Sequence, residues 1–191
     1  IGIYSFFPTK TLGAYGDAGL MVTDEEELYR KMKMYRVHGT AAKYHHEYIG
    51  YNSRLDTLQA AILRVKLTTT EKAIAARARH VAHYTERLRA IPGVRVQSVR
   101  SDALPVYYVY NILVPQRDAL VSYLKEKGIG TTIYYPKPLH LQPCFAYLGY
   151  KEGDFPVAER ICKEILALPM YPELTDDEVD YVCDAIKSFY K

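Results

Sequence analysis

The sequence has no tryptophan and only three cysteines, Cys144, Cys162 and Cys183. An odd number of cysteines with no Cys-x-x-Cys pair argues against a disulfide framework and against a structural zinc site. This cysteine usage is typical of a reducing compartment, so we expect a cytoplasmic protein. Long apolar runs are also absent, because a stretch such as residues 104–114 is interrupted by a proline and an asparagine. The sequence therefore predicts no membrane-spanning helix.

Charge of one sign is not in excess either. The 25 lysines and arginines against 22 acidic residues give a formal net charge of +3, which argues against a strongly basic nucleic-acid-binding module. Hydrophobic residues make up 49% of the 191 residues and charged residues 25%, which is typical of a globular domain rather than of a disordered chain. No basic segment precedes an apolar one at the start, so we predict no signal peptide.

The first part of the sequence alternates between apolar runs and glycine-rich turns. It predicts a buried strand over residues 1–7 and a second strand over residues 19–23. Thr23 and Glu26 have the spacing of a capping box, which predicts the start of a helix. The polar and aromatic residues 40–53 that follow this helix are predicted to form an exposed loop.

A helical pattern then runs from Leu55 to Ala90, and so long a helix in a small chain typically connects two bodies. We therefore predict a domain boundary near Leu67, which divides the chain into residues 1–66 and 67–191. Beyond the boundary, alternating strand and helix patterns predict a small α/β layer. Its predicted strands cover residues 94–99, 106–114 and 129–134, and its helices cover residues 117–127, 155–166 and a last helix that Thr175 and Glu178 open as a capping box.

One lysine stands in a setting that suits chemistry. Lys10 follows the first predicted strand, and Gly13 and Gly16 make the next segment a tight turn. A lysine beside apolar walls loses hydration, which favours the neutral amine and makes it a nucleophile for Schiff-base formation. Such a turn can also hold a phosphate together with the nearby hydroxyl of Ser5. On these residues alone, a surface lysine in a β-hairpin is the alternative.

Three ordered blocks of the sequence resemble one enzyme family. They read SFFPTKTLGAYGDAG from Ser5, RVHGTAAKYHHEYIGYNSRLDTLQAAIL from Arg36, and YYPKPLHLQPCF from Tyr134. Together they resemble the nucleotide-sugar aminotransferases of the DegT/StrS type, which are fold-type-I enzymes that depend on pyridoxal 5'-phosphate. The second block is most similar to the branch that acts on UDP-linked 3-oxo-N-acetylglucosamine uronates.

The resemblance implies a fold class and a domain plan. The fold would be α/β, with residues 1–66 as the end of the cofactor-binding large domain and residues 67–191 as a small C-terminal domain. The first part would hold the lysine strand, a hairpin and the start of a connecting helix. The N-terminal half of the family has no counterpart in this sequence. We therefore expect the chain to correspond to the C-terminal half, to be inactive alone, and to have a complementary N-terminal chain as a possible partner.

The resemblance also implies roles for residues around the cofactor. Lys10 would carry pyridoxal phosphate as a Schiff base and move the proton between the donor carbon and the cofactor, while Ser5 would contact the cofactor phosphate. Asn52 would reach the phosphate in the neighbouring subunit, which implies a homodimer with shared active sites. Arg54 would bind the phosphate or a substrate carboxylate through its planar guanidinium.

Substrate-binding residues are implied in the long loop 136–156 and just before it. Tyr134 and Tyr135 would line the sugar site, and His140 would face it. The expected substrates are an amino-acid donor, L-glutamate, and a keto nucleotide-sugar. Tyr134 stands where the family usually has a histidine, so any hydrogen bond from that imidazole to the substrate is remade by a phenol or lost.

Two other functions stay open on the sequence. Related sugar dehydratases replace the lysine with histidine, and Lys10 speaks against that activity. A non-catalytic fragment that dimerises through the Asn52 loop would need no cofactor, and the absence of the N-terminal half favours it. His45 and His46 have no carboxylate or thiol at metal-ligand spacing, so we predict no metal site there.

Overall fold

A computed structural model describes all residues of the chain, 1–191. They fall into two compact units, Ile1–Lys72 and Ala73–Lys191. The sequence-based boundary after residue 66 lies slightly before the end of the first unit. The assignment of residues 1–66 and 67–191 to a large and a small domain stays a prediction.

The first unit is built from two strand pairs and two helices: β1 (Gly2–Ser5), β2 (Gly19–Val22), α1 (Glu26–Tyr35), β3 (Thr40–Ala42), β4 (His45–His46) and α2 (Thr57–Leu67). β1 pairs with β2, and β3 pairs with β4, both antiparallel. The prediction of a plain loop over residues 40–53 is therefore wrong in part. Tyr44 adopts a φ of 67°, and this left-handed residue makes the turn that lets Thr40 pair with His46.

The β1–β2 ribbon exposes apolar side chains on both faces. Neighbouring residues of a strand point to opposite faces, yet Ile3 is 78% exposed and Tyr4 is 56% exposed. Their partners on β2, Met21 and Leu20, are also exposed. The prediction of a strand within residues 1–7 is confirmed, but the prediction that it is buried is wrong for this chain, because neither face packs against a core.

Helix α1 lacks the predicted capping box. The helix begins at Glu26 with Glu25 as its N-cap, so Thr23 lies two residues too early to cap it. The Thr23 hydroxyl instead accepts a hydrogen bond from the Glu25 amide at 3.1 Å. A capping box needs the threonine at the N-cap itself, so the Thr23–Glu26 spacing predicted a helix here but placed its start two residues too early.

The long helical region predicted from Leu55 to Ala90 is two helices. α2 ends at Leu67, and α3 (Thr70–Leu88) begins three residues later and runs into the second unit. At the break, the hydroxyls of Thr68 and Thr69 donate to the carbonyls of Val65 and Lys66 at 2.8 and 3.1 Å. Threonine hydroxyls that bond to the preceding turn weaken and bend a helix, and the interruption lies at these residues.

The second unit contains the hydrophobic core of the chain. Besides most of α3 it holds β5 (Arg95–Val96), β6 (Tyr110–Leu113), α4 (Arg117–Glu126), α5 (Pro156–Glu164), β7 (Ile165–Leu168) and α6 (Asp176–Phe189). The strands form one antiparallel sheet in the order β5–β6–β7. Tyr110 and Ile112 of β6 are buried in one cluster with Leu120 of α4 and Ile186 of α6. This is the small α/β layer that the sequence pattern predicts.

One helix and one strand of this unit differ from the prediction. The helix predicted over residues 155–166 ends at Glu164, and residues 165–168 form β7 instead. Their apolar run fits a buried helix or a buried strand equally well, and the pairing of Tyr110 with Leu168 decides for the strand. The strand predicted over residues 129–134 is wrong, because the only pairing there is a single bridge between Thr132 and Ala167.

The strand predicted over residues 106–114 begins only at Tyr110. Tyr107 adopts a φ of 47°, which no regular strand residue has. The predicted strand is therefore wrong over residues 106–109, and of the tyrosines at 107, 108 and 110 only Tyr110 takes part in the sheet.

The capping box predicted at Thr175 is confirmed at the start of α6. The Thr175 hydroxyl accepts from the Glu178 amide at 3.2 Å, and the Glu178 carboxylate accepts from the Thr175 amide at 2.8 Å. We expect Thr175→Ala to lower the free energy of unfolding by about 1 kcal/mol, because the Glu178 amide in the first turn loses its side-chain acceptor. Ser188→Ala, near the exposed end of the same helix, is the control, and equal losses in chemical denaturation would contradict the capping assignment.

Candidate active site

The segment after β1 folds into a loop closed by its own backbone. The amide of Phe6 donates to the Ala18 carbonyl at 2.9 Å, and the amide of Ala14 donates to the Phe6 carbonyl at 2.8 Å. Within the loop, the amide of Lys10 donates to the Phe7 carbonyl at 2.8 Å. Lys10 is half-buried there. The sequence-predicted lysine therefore sits in a tight turn that these three backbone hydrogen bonds close.

Gly13 allows the loop to close this tightly. A Cβ atom at Gly13 would lie 2.4 Å from the Pro8 carbonyl oxygen, far inside a van der Waals contact. Only glycine lets the two strands of the loop approach so closely. The Ser5 hydroxyl accepts a long hydrogen bond from the Phe7 amide at 3.4 Å, which leaves its own hydrogen available to a further acceptor.

Two side chains of α2 hold this lysine loop in place. The Gln59 side-chain oxygen accepts from the Tyr15 amide at 2.8 Å, and the Lys66 ammonium donates to the Gly13 carbonyl at 2.6 Å. The Lys66 ammonium also lies 5.5 Å from the centre of the Tyr15 ring. Neither residue was predicted from the sequence to take part in the site. The available signal was their spacing of two helical turns, which places Gln59 and Lys66 on one face of α2.

Asn52 and Arg54 form a second candidate group in the first unit. The Asn52 backbone pairs with Val37 in a β-bridge, which fixes it beside the end of α1. The Arg54 Nε donates to the Asn52 side-chain oxygen at 3.1 Å. Because that oxygen is engaged, the Asn52 amide nitrogen and the terminal nitrogens of Arg54 are the groups that can donate to an anion. Both residues are exposed.

The remaining predicted site residues lie in the second unit. The rings of Tyr134 and Tyr135 meet edge to face with centroids 5.5 Å apart, and Tyr135 is 69% exposed. The His140 Nε2 donates to the Glu159 carboxylate at 3.0 Å, and both side chains are nearly buried. His140 is therefore engaged by a residue that the sequence analysis did not single out.

Some further features of the chain bear on its chemistry. No group of three or more histidine, cysteine or acidic side chains is arranged to hold a metal ion. His45 and His46 are exposed, and the His46 Nδ1 lies 3.0 Å from the His38 carbonyl oxygen.

None of the helices combines the length and apolar character needed to cross a membrane. Burial raises the pKa of the Cys183 thiol to about 12, so this cysteine is not a thiolate nucleophile at neutral pH.

A comparison with protein-family models identifies the family. The model of the DegT/DnrJ/EryC1/StrS aminotransferase family matches residues 1–187. The chain belongs to this family. Members of the family, and its solved structural relatives, depend on pyridoxal phosphate. The predicted family and cofactor class are thereby confirmed, and the narrower branch for 3-oxo uronates stays a prediction.

Individual family members match nearly all of this chain. A "pleiotropic regulatory protein" of Geobacillus stearothermophilus is 50% identical over 98% of this chain and 51% of its own length. A UDP-N-acetyl-3-dehydro-α-D-glucosamine 3-aminotransferase of Acidithiobacillus ferrooxidans is 38% identical over 98% of this chain and 50% of its own. The chain spans about half the length of the curated relatives it matches.

A solved structure shares the fold. DesV of S. venezuelae, crystallised in complex with a ketimine intermediate, is 36% identical, with a TM-score of 0.94 over 99% of this chain and 51% of its own. This likeness confirms the predicted α/β fold class, that of the fold-type-I aminotransferases.

Proposed function

We propose that the chain is the part of a pyridoxal-phosphate-dependent aminotransferase that carries the cofactor-binding lysine, Lys10, and that the complete enzyme aminates a keto nucleotide-sugar. The observation that carries the proposal is the loop of Lys10, closed by backbone hydrogen bonds and held by α2, in a chain that the aminotransferase family model matches over residues 1–187. The proposed donor is L-glutamate. The proposed sugar branch is that of UDP-linked 3-oxo-N-acetylglucosamine uronates.

The donor groups of the first unit fit pyridoxal phosphate. Lys10 supplies an amine in a preorganised turn, and Ser5 supplies an exposed hydroxyl, whose oxygen accepts a long hydrogen bond from the Phe7 amide and which can donate to a phosphate. Asn52 and Arg54 add an amide and a guanidinium that are oriented toward each other and can together bind a phosphate. When bound, pyridoxal phosphate supplies the electron sink that amino-group transfer requires.

In this proposal each residue has a separate task. Lys10 would hold the cofactor covalently, and its amine would then move the proton at the donor carbon. Ser5 binds the phosphate of the same subunit. Asn52 reaches the phosphate of a second subunit, and Arg54 fixes the Asn52 side chain while offering two more N–H groups to the same anion or to a substrate carboxylate.

The proposed assembly is a homodimer, because Asn52 of one subunit would reach the cofactor phosphate of the other. Two large apolar side chains just before Asn52 are strongly exposed, Ile49 at 98% and Tyr51 at 69%. Burying such side chains against a second copy would remove apolar surface from water and would carry Asn52 across the interface. Tyr134 and Tyr135 of the second unit are the proposed lining of the sugar site, with His140 beside them.

The exposed β1–β2 ribbon supports a complementary polypeptide as a further partner. A two-stranded ribbon is marginal alone, and this one leaves Ile3, Tyr4, Leu20 and Met21 uncovered. A cavity of about 510 Å³ beside the ribbon is lined mainly by apolar side chains of β1, β2 and α1. We propose that the half of the family architecture that this chain does not match covers these faces, and that the chain alone is inactive.

Trapping the lysine tests the proposed function. The chain is incubated with pyridoxal phosphate, with and without the non-matching half of the Geobacillus relative added as a separate polypeptide, then reduced with borohydride and mapped by peptide mass spectrometry. We expect selective, stoichiometric modification of Lys10 only when the second polypeptide is present. Scattered labelling of many lysines under both conditions would contradict Lys10 as the cofactor residue and would favour a non-catalytic role for the chain.

A further inference from the structure

The carboxylate of Glu159 is the centre of a buried polar cluster in the second unit. Besides His140, it accepts hydrogen bonds from the amide of Gly153, at 2.9 Å to both oxygens, and from the amide of Phe155 at 3.2 Å. The Glu159 side chain is 10% exposed and that of His140 is 8% exposed. An ionised carboxylate only accepts hydrogen bonds, so the His140 Nε2 carries the proton of this pair.

Aromatic rings enclose the pair. The His140 ring lies 4.7 Å from the Phe155 ring, and Phe155 packs edge to face on Tyr150 at 5.1 Å. Burial by itself would raise the pKa of the Glu159 carboxyl, but the hydrogen bonds from the Gly153 and Phe155 amides and from His140 outweigh it and hold the pKa below its usual value. The carboxylate therefore stays ionised and bonded at neutral pH.

The pair joins two segments that are distant in sequence. Glu159 lies on α5, which continues directly into β7, while His140 lies in a short 3-10 turn, Leu139–Leu141. Upstream of this turn, Thr132 is bonded to Ala167 of β7 in both directions, at 2.7 and 3.2 Å. The stretch between Thr132 and His140 is thus fastened at both ends to the same continuous α5–β7 segment.

Tyr134 and Tyr135 lie within this fastened stretch. The link from Tyr135 to His140 contains Pro136 and Pro138, each of which fixes its own φ angle and leaves few conformations open. The position of the His140 ring is therefore transmitted to the two tyrosines through a short, stiff connection.

We infer that Glu159 is a positioning residue, which acts through His140 to hold the Tyr134–Tyr135 segment in place. The inference deepens the proposed function, because that segment is the proposed lining of the sugar site. In this arrangement His140 serves as the anchor of the sugar-binding segment, since its Nε2 and most of its surface are engaged within the protein. Glu159, which no sequence motif indicated, thereby joins the residues that shape the proposed sugar site.

The test observes the tyrosines directly and needs no activity. The chain is labelled with 3-fluorotyrosine, the signals of Tyr134 and Tyr135 are assigned with phenylalanine variants, and fluorine NMR spectra are compared for the unaltered chain and Glu159→Gln. We expect both signals to shift or broaden, because the ring pair at 5.5 Å loses its fixed geometry. The signal of Tyr84, which is fully buried in the core, is expected to stay in place.

Two comparisons separate positioning from general loss of structure. Glu152→Gln is the control, because it removes an exposed carboxylate whose ion pair with the Lys163 ammonium, at 3.5 Å, lies at the surface. It should leave the Tyr134 and Tyr135 signals unchanged. His140→Ala should shift them as Glu159→Gln does, and the double variant should add nothing further, because both residues act through one contact. Unchanged tyrosine signals in Glu159→Gln, or an equal shift of Tyr84, would overturn the inference. Neither result depends on whether Lys10 binds the cofactor.

Discussion

Replacing Lys10 with alanine is expected to lower the transamination rate of the complete enzyme by at least about 10³-fold. In the proposed function, Lys10 is both the covalent carrier of the cofactor and the group that moves the proton, so one substitution removes two contributions. The measurements are the steady-state rate with L-glutamate and the visible absorbance of the lysine-bound cofactor. Both should be lost together.

The fold should survive the Lys10→Ala change. The backbone of the loop is held by hydrogen bonds that do not involve the Lys10 side chain, including those from Phe6 to Ala18 and from Ala14 to Phe6. Lys43→Ala, which removes an exposed lysine of the β3–β4 turn, is the matched control and should leave the rate unchanged. Transamination at a normal rate in Lys10→Ala would refute the assignment of the cofactor residue.

The lysine loop is the part of the site that could be predicted best from the sequence. Its glycines limit the backbone to tight turns, and Gly13 proves to be a position where no side chain fits. Such information is local, because the residues that define the loop are neighbours in the chain. The same holds for the Thr175 capping box, whose two partners are three residues apart.

Features that depend on distant contacts could not be predicted in this way. The apolar run of β7 is compatible with helix or strand, and only its pairing with β6 decides between them. Glu159 and His140 are nineteen residues apart, and no periodicity connects a loop residue to a helix residue at that distance. Burial of β1 was inferred from its apolar residues, but burial requires a partner surface that the first unit does not supply.

Gly39→Ala is expected to open the segment that presents Asn52. Gly39 adopts a φ of +74°, and a Cβ atom there would lie 1.7 Å from the Tyr48 carbonyl oxygen, a distance that requires the backbone itself to move. The Gly39 carbonyl accepts from the Glu47 amide at 2.9 Å, so the movement breaks the hairpin. We expect a local cost of about 3 kcal/mol or more, because a backbone clash is added to the strain of a left-handed residue.

Hydrogen exchange measures this opening locally. The amides of His38 and Tyr51, which donate to the carbonyls of Tyr51 and Tyr35 at 2.8 Å each, should exchange about 100-fold faster in Gly39→Ala, since each 1.4 kcal/mol is a factor of ten. Gly128→Ala is the matched control, because Gly128 has the same φ of +74° but no atom within 4 Å of an added Cβ. Its cost should be only the left-handed strain, about 1–2 kcal/mol, seen at the end of α4. If the amides near Gly39 in Gly39→Ala and those near Gly128 in Gly128→Ala exchanged faster by the same factor, the close approach of Tyr48 would not account for the cost at Gly39. If Gly39→Ala also left cofactor binding by the complete enzyme unchanged, Asn52 would not contact the cofactor phosphate.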